Sequence, residues 1–175
     1  MCLLYQIMKK EIYLILNNIR SRENVGSIFR TADAAGVSKI YLCGITPRPP
    51  HEKITKTALG ADNYVPWEYY RQPARLISQL KDENVSIYAL ELSKKSRDLF
   101  KFKPNFPMAL IVGNEVKGIS PAILRQADEI VAISMRGGKE SLNVSVATGV
   151  ALFQLINSAD NAVRLLRHRG ELIES

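Results

Sequence analysis

Short apolar runs of strand length alternate along this chain with stretches whose apolar residues recur at helical spacing. Residues 12–16 (IYLIL), 39–43 (KIYLC), 85–90 (VSIYAL), 108–112 (MALIV) and 130–133 (IVAI) are near-continuous apolar runs, and Val65 marks a further short candidate strand. Between the first two, residues 24–36 place Ile28, Ala32 and Ala35 at helical spacing and end on Gly36, a stop signal. Helices are also predicted from Pro73 to about Lys81 and over 121–126. A long uncharged helix is predicted from Ser141 onward, followed by a separate basic helix. The proline-rich stretch TPRPPHEKITKTALG reads as a loop entering another short helix. Strands apolar on both sides, alternating with helices, predict an α/β fold: a parallel sheet with helices on both faces. No repeat, low-complexity segment or long linker divides residues 1–175, so they read as a single domain.

In parallel sheets of this kind ligands sit beyond the carboxyl ends of the strands, and three polar stretches follow strands here. The first is NNIRSRENVGSIFRTAD, residues 17–33. Asn24 is a candidate N-cap, and the free amides of that helix start could hold an anion. Arg30 brings a five-donor fork suited to phosphate into an otherwise apolar helix; pairing with Asp33 or simple exposure is the alternative. The second is VGNEVKGIS, residues 112–120, where Gly113 would let backbone approach a ligand and Gly118 would permit a tight turn. Glu115 between them could anchor a cation or orient a basic partner, or belong to a solvated turn with a lysine. It is not a phosphate-cradling loop, because Ile119-Ser120 replaces the required Lys-Ser/Thr.

The third stretch is ISMRGGKESLNVSVA, residues 133–147. Its strand is expected to end at Met135, with Ser141 as N-cap of the long helix. Asn143 and Ser145 are poor helix formers at the start of a run that carries no charge from Ser141 to Ser158. That local disagreement suggests a site: a helix buried to fix its first turn, and a polar first turn that binds something.

Bulk properties narrow the class. Lys9, Lys10 and Glu11 interrupt the apolar N-terminus before a signal-peptide core could form, and no run is apolar and long enough to span a bilayer, so a cytoplasmic protein is expected. Cys2 and Cys43 are too few for a disulfide framework and lack metal-site spacing. The net charge of +7 favours polyanions. Its clusters are Lys9-Lys10, Arg20 and Arg22, the stretch from Arg48 to Lys56, and Arg164, Arg167, His168 and Arg169. A serine hydrolase built on Ser141 lacks support, since only His51 and His168 are available as bases and His168 lies in a basic helix with no evident orienting acid.

Three segments together, NVGSIFRTADAAGV (24–37), ALIVGNEVKGIS (109–120) and ISMRGGKESLNVSVA (133–147), resemble the three motifs of the SpoU (TrmH) branch of the SPOUT superfamily, in the family's order. Those proteins are S-adenosylmethionine-dependent RNA 2'-O-ribose methyltransferases, and the resemblance covers about residues 11–157. Ser134 departs from the proline usual before the methionine. The resemblance implies a sheet whose C-terminal segment is threaded into a deep trefoil knot, which periodicity does not show and general folding rules disfavour. It implies that Arg30 acts at the ribose 2'-hydroxyl beside Asn24, that Glu115 supports it, and that Ser141 and Asn143 shape the active site. The cofactor, released as S-adenosylhomocysteine, would be lined by Leu90, Gly113, Ile133, Met135, Ser141 and Leu142, with Ala89 and Glu91 adjacent. The family works as a homodimer whose site combines both subunits. The expected substrate is RNA, tRNA first, with rRNA or a non-catalytic RNA-binding role as alternatives; no metal is expected.

Overall fold

The computed structural model describes residues 11–168, with side chains described through Ser158. Its strands are β1 (Ile12–Asn17), β2 (Lys39–Cys43), β3 (Trp67–Tyr70), β4 (Ser86–Leu90), β5 (Arg97–Asp98), β6 (Met108–Val112) and β7 (Glu129–Ala132). They form one seven-stranded sheet in the order β3-β2-β1-β6-β4-β7-β5, every neighbouring pair parallel. The helices are α1 (Arg22–Ala34), α2 (Glu52–Ala58), α3 (Ala61–Tyr64), α4 (Pro73–Asp82), α5 (Pro121–Leu124) and α6 (Val144–His168).

Successive strand residues point to opposite faces, and both faces are covered, which is why the central strands read as unbroken apolar runs. On one face Leu14, Leu16, Leu42, Leu110 and Val112 pack with Phe29 of α1, Ile54 of α2 and Leu152 of α6. On the other, Ile15, Tyr41, Ile87, Ala89 and Ile111 pack with Leu76, Ile77 and Leu80 of α4 and Ile123 of α5. Helix α1 follows from its pattern: Val25, Ile28, Phe29 and Ala32 form one buried stripe. Phe29 is fully buried, so Phe29→Ala would cost about 3–5 kcal/mol.

Several boundaries differ from the sequence expectation, each for a local reason. Ser21, not Asn24, caps α1: its Oγ accepts the Asn24 N–H at 3.1 Å. Val65 is the buried C-cap residue of α3; Pro66 has no N–H for the ladder, and β3 begins at Trp67. Strand β7 ends at Ala132 rather than Met135, because its neighbours β4 and β5 pair no further than Val131 and Ala132. The two helices expected after residue 141 are one, α6. No Gly or Pro falls between Val150 and His168 to interrupt it. Two-residue β5 is too short to leave a pattern.

Cys43 is a buried free thiol whose pKa burial pushes up to about 12; Cys2 lies outside the described residues. No helix among the described residues is long and apolar enough to cross a membrane, and no group of three or more His, Cys, Asp or Glu among them could hold a metal ion.

Candidate active-site cleft

Where β4, β6 and β7 end, the chain leaves the sheet in three loops that enclose a cleft of about 280 Å³. Leu90 and Glu91 leave β4, Val112 to Glu115 leave β6, and Ala132, Ile133 and Met135 leave β7; Glu140 to Val144 close the fourth side. Two of the polar stretches seen along the chain, those after β6 and β7, therefore line one cleft, and the third, after β1, borders it through the hydrogen bonds of Asn24.

The β6 loop is a tight hairpin. Asn114 N donates to Gly118 O at 3.2 Å and Gly118 N to Asn114 O at 2.9 Å. The Asn114 side chain accepts from Val116 N and Lys117 N and donates through Nδ2 to Asn18 O at 2.8 Å, tying the loop to the end of β1. Gly118 holds φ at +63° with its α-carbon against the Glu91 carboxylate. Gly113 lines the cleft and has a packing task as well. A Cβ there would stand 2.6 Å from the Gly118 carbonyl carbon and from Ile119 Cγ1, so its small size lets the loop fold back on itself. Glu91 completes the latch, accepting from Ile119 N at 2.8 Å and from Leu92 N at 3.1 Å.

Glu115 turns away from solvent cations to the start of α1. Its carboxylate accepts from Arg20 N at 2.9 Å, Ser21 N at 3.0 Å and Asn24 Nδ2 at 3.0 Å. The anion at this helix N-terminus is thus the protein's own, favoured by the free amides and the helix dipole. Partial desolvation raises the Glu115 pKa, but the backbone N–H groups of Ser21 and Arg20 and the Asn24 amide outweigh it, and the net shift is downward.

From Glu115 the hydrogen bonds continue in a fixed direction. Because a carboxylate only accepts, Asn24 must present its NH₂, leaving Oδ1 to accept from Asn143 Nδ2 at 3.1 Å. Asn143 in turn keeps its Oδ1 for Ser145 N at 2.9 Å and Ser145 Oγ at 2.7 Å. That makes Asn143, and not Ser141, the N-cap of α6; its backbone oxygen also accepts from Ala147 N at 2.9 Å. The poor helix formers at 143 and 145 are therefore explained by one cap.

Of the residues expected at the site, Leu90, Glu91, Gly113, Glu115, Ile133, Met135, Ser141, Leu142 and Asn143 line the cleft. Asn24 joins them through its two hydrogen bonds. Ala89 does not: it is fully buried in the core under α4. Arg30 does not line the cleft either. It is exposed, about 9 Å further along α1 than Asn24 and about 240° round the helix. Sequence reasoning passed over Asn114, Glu140 and Ala147, which also line the cleft. Only Asn114 carried a signal, an Asn after Gly positioned to bond its own loop. His51 caps α2 through Nδ1 and is absent from the lining, so Ser141 gains no base from it.

The electrostatic character of the cleft limits its ligand. Three glutamates line it and no Lys, Arg or His does. Such a site repels a polyphosphate and suits a ligand carrying positive charge, with apolar walls at Leu90, Val112, Ile133 and Leu142 for a flat ring.

A parallel α/β sheet with a ligand cleft at the strand ends defines the class, and sequence comparison defines the family. The signature of the SpoU rRNA Methylase family matches residues 11–153, and the chain belongs to that family. A tRNA (guanosine(18)-2'-O)-methyltransferase of Aquifex aeolicus is 34% identical over 148 residues, 83% of this chain and 69% of that protein. A 23S rRNA (guanosine-2'-O-)-methyltransferase RlmB of Yersinia pestis is 34% identical over 157 residues, 87% of this chain and 62% of that protein. The chain thus spans about two thirds of the length of these relatives. Among solved structures, the A. aeolicus TrmH/SpoU tRNA modifying enzyme superposes with a TM-score of 0.79 at 30% identity, over 90% of this chain and 79% of that one. An AdoMet-bound rRNA methyltransferase from Sinorhizobium meliloti gives 0.78 at 30% identity, over 84% of this chain and 56% of that one. The α/β parallel-sheet class expected from the resemblance is the one observed.

Proposed function

We propose that this chain binds S-adenosylmethionine in the strand-end cleft and methylates a ribose 2'-hydroxyl of RNA, tRNA before rRNA, as a cytoplasmic homodimer with one catalytic domain per subunit. The observation that carries the reading is the cleft itself: acidic and free of basic side chains, walled by apolar residues, and adjoining the Glu115–Asn24–Asn143 relay. When bound, S-adenosylmethionine supplies an electrophilic methyl carried on a sulfonium. Its positive charge fits the acidic lining, and its purine the apolar walls. Leu90, Gly113, Ile133, Met135, Ser141 and Leu142 would hold it.

The chain's own residues then have separable tasks. The relay fixes the first turns of α1 and α6 against each other, so that the ribose meets a preformed surface. Arg30 cannot take the hydroxyl proton, because a guanidinium has donors and no acceptor. It binds the neighbouring phosphate and stabilises the alkoxide as it develops, while the proton passes to solvent. A site completed by a second subunit accounts for its distance from the cleft. Helix α6 exposes Val146 and Phe153, each 51% accessible, at i, i+7 on one outward stripe. This face suits a second copy of the chain, and α1, which carries Arg30, packs beside α6 at Thr31 and Gly149.

Two measurements test the reading. Calorimetry with S-adenosylmethionine should show one site per chain, and tritiated methyl transfer to unmethylated total RNA, mapped by mass spectrometry, should place the label on ribose. Folded protein that binds no S-adenosylmethionine would leave the non-catalytic RNA-binding reading in its place; label in rRNA and none in tRNA would reassign the substrate.

A further inference from the structure

The rim of the sheet continues past the cleft to the opposite edge, where β3 ends. In the pairing register Tyr70 stands opposite Cys43 and Cys43 opposite Asn17. Leu16 stands opposite Val112, so the next residue on β6, Gly113, completes the same row. Tyr70 is therefore level with the floor of the cleft, three strand spacings away, or about 14 Å. The intervening rim is fixed by hydrogen bonds: Gly44 N to Tyr70 O at 3.0 Å, Asn18 N to Cys43 O at 3.1 Å, and Asn114 Nδ2 to Asn18 O at 2.8 Å.

This edge has the chemistry the cleft lacks. The Arg48 guanidinium lies 4.3 Å over the Tyr69 ring, and the Tyr69 hydroxyl donates to Gly44 O at 3.0 Å, which holds the ring in place. Tyr69 and Tyr70 pack on opposite faces of the sheet, and a shallow hollow wraps the edge between them, lined by both rings with Arg71, Arg75 and glutamines and with no carboxylate. Arg71 and Arg75 are exposed, and no acid stands in the first turn of α4. Glu68, the acid that acts on Tyr70, is itself paired with Lys39 at 2.9 Å. Planar rings and stacked guanidinium offer a face to an unpaired base, and the two free arginines offer charge to its flanking phosphates.

We infer that the Arg48–Tyr69–Arg71–Arg75 edge is a second contact surface for the RNA substrate, taking an unpaired stretch a few nucleotides from the methylated ribose. This rests on the reading that the substrate is RNA. It makes a single-stranded loop, rather than a continuous duplex, the structure the enzyme selects.

The test is fluorescence anisotropy of the full chain with a labelled unstructured 12-nucleotide RNA and with a duplex of the same sequence, at several salt concentrations. Arg71→Glu/Arg75→Glu should weaken single-strand binding about tenfold or more and reduce the salt slope by about 1.4, the value for two phosphates on a single strand. Arg48→Lys, which keeps the charge and loses the planar stack, should weaken the single strand about fivefold and leave the duplex unchanged. Calorimetry with S-adenosylmethionine confirms that each variant keeps a folded cleft. Variants that bind the single strand within twofold of wild type overturn the surface while leaving the methyltransferase reading intact. Wild-type protein that binds neither RNA overturns both.

Discussion

The relay corner and Arg30 lie on the same motif set and yet in opposite physical situations. At the corner each polar group has its partner: Glu115 takes three donors, Asn24 bridges, and Asn143 caps α6. Arg30, further along the same helix as Asn24, is exposed and outside the cleft. The comparison teaches that one chain fixes the rim of its strand-end cleft by itself, while Arg30 stands outside that cleft.

The largest effect should come from the exposed member of that pair. Arg30→Ala should reduce methyl transfer by about 10²–10³-fold, the usual size of losing a donor to a developing oxyanion, with cofactor affinity and Tm unchanged. Mixed dimers sharpen this. If Arg30 serves the partner's cleft, equal mixing of Arg30→Ala with a cleft-dead Gly113→Trp chain restores about a quarter of the sites, because each heterodimer regains one. If it serves its own cleft, mixing restores nothing.

Next comes the loop that shapes the cleft. Gly113→Ala must push backbone at Gly118 and the Ile119 side chain, an overpacking cost of about 1–3 kcal/mol. A lowered Tm and weaker S-adenosylmethionine binding should appear together. Gly137→Ala is the control, since nothing stands within 4 Å of its added methyl; equal losses at both positions would remove the loop-closure account of Gly113.

These contrasts also show what the sequence could and could not disclose. Strands such as 39–43 and 108–112 were legible to the residue, because burial on both faces forces unbroken apolar runs. Two of the three polar segments after strands line the cleft, and the third, after β1, joins it only through the hydrogen bonds of Asn24. The capping roles were not legible, because Ser21 and Asn24, or Ser141 and Asn143, are equally good caps in isolation. Only the carboxylate of Glu115, brought from far along the chain, decides that Asn24 faces across to Asn143 rather than back to its own helix. Arg30 shows the other limit: its motif was readable, but its exposure outside the cleft is not written in a linear pattern. The clusters at Lys9-Lys10 and Arg169 lie outside the described residues, as do the side chains of Arg164, Arg167 and His168.

Within the corner, Asn143→Ala removes the cap of α6 and the tie to α1 together. A lost N-cap costs about 1 kcal/mol, and the unsatisfied Asn24 oxygen adds less because it can reach water. A fall in Tm of about 2–4 °C is expected for a chain of this size. Asn143→Asp should recover most of it, since a carboxylate still accepts from Ser145, while losing the donor to Asn24. If Asp restores no stability, capping is not what Asn143 contributes.

The smallest effect is the most diagnostic of charge. Glu115→Gln keeps the shape but faces one of the Arg20 and Ser21 N–H groups with an NH₂, and should cost about 1 kcal/mol at neutral pH, limited by solvent around an exposed carboxylate. Because the folded pKa of Glu115 lies below its ordinary value, its contribution to stability is present above the unfolded pKa, near 4.3 for a free glutamate. It is lost as pH falls through the folded value. The Tm gap between wild type and Glu115→Gln should therefore stay constant from about pH 8 to pH 5 and close below about pH 4. A gap that widens on acidification would mean that the carboxylate is held at the helix start against its charge rather than because of it.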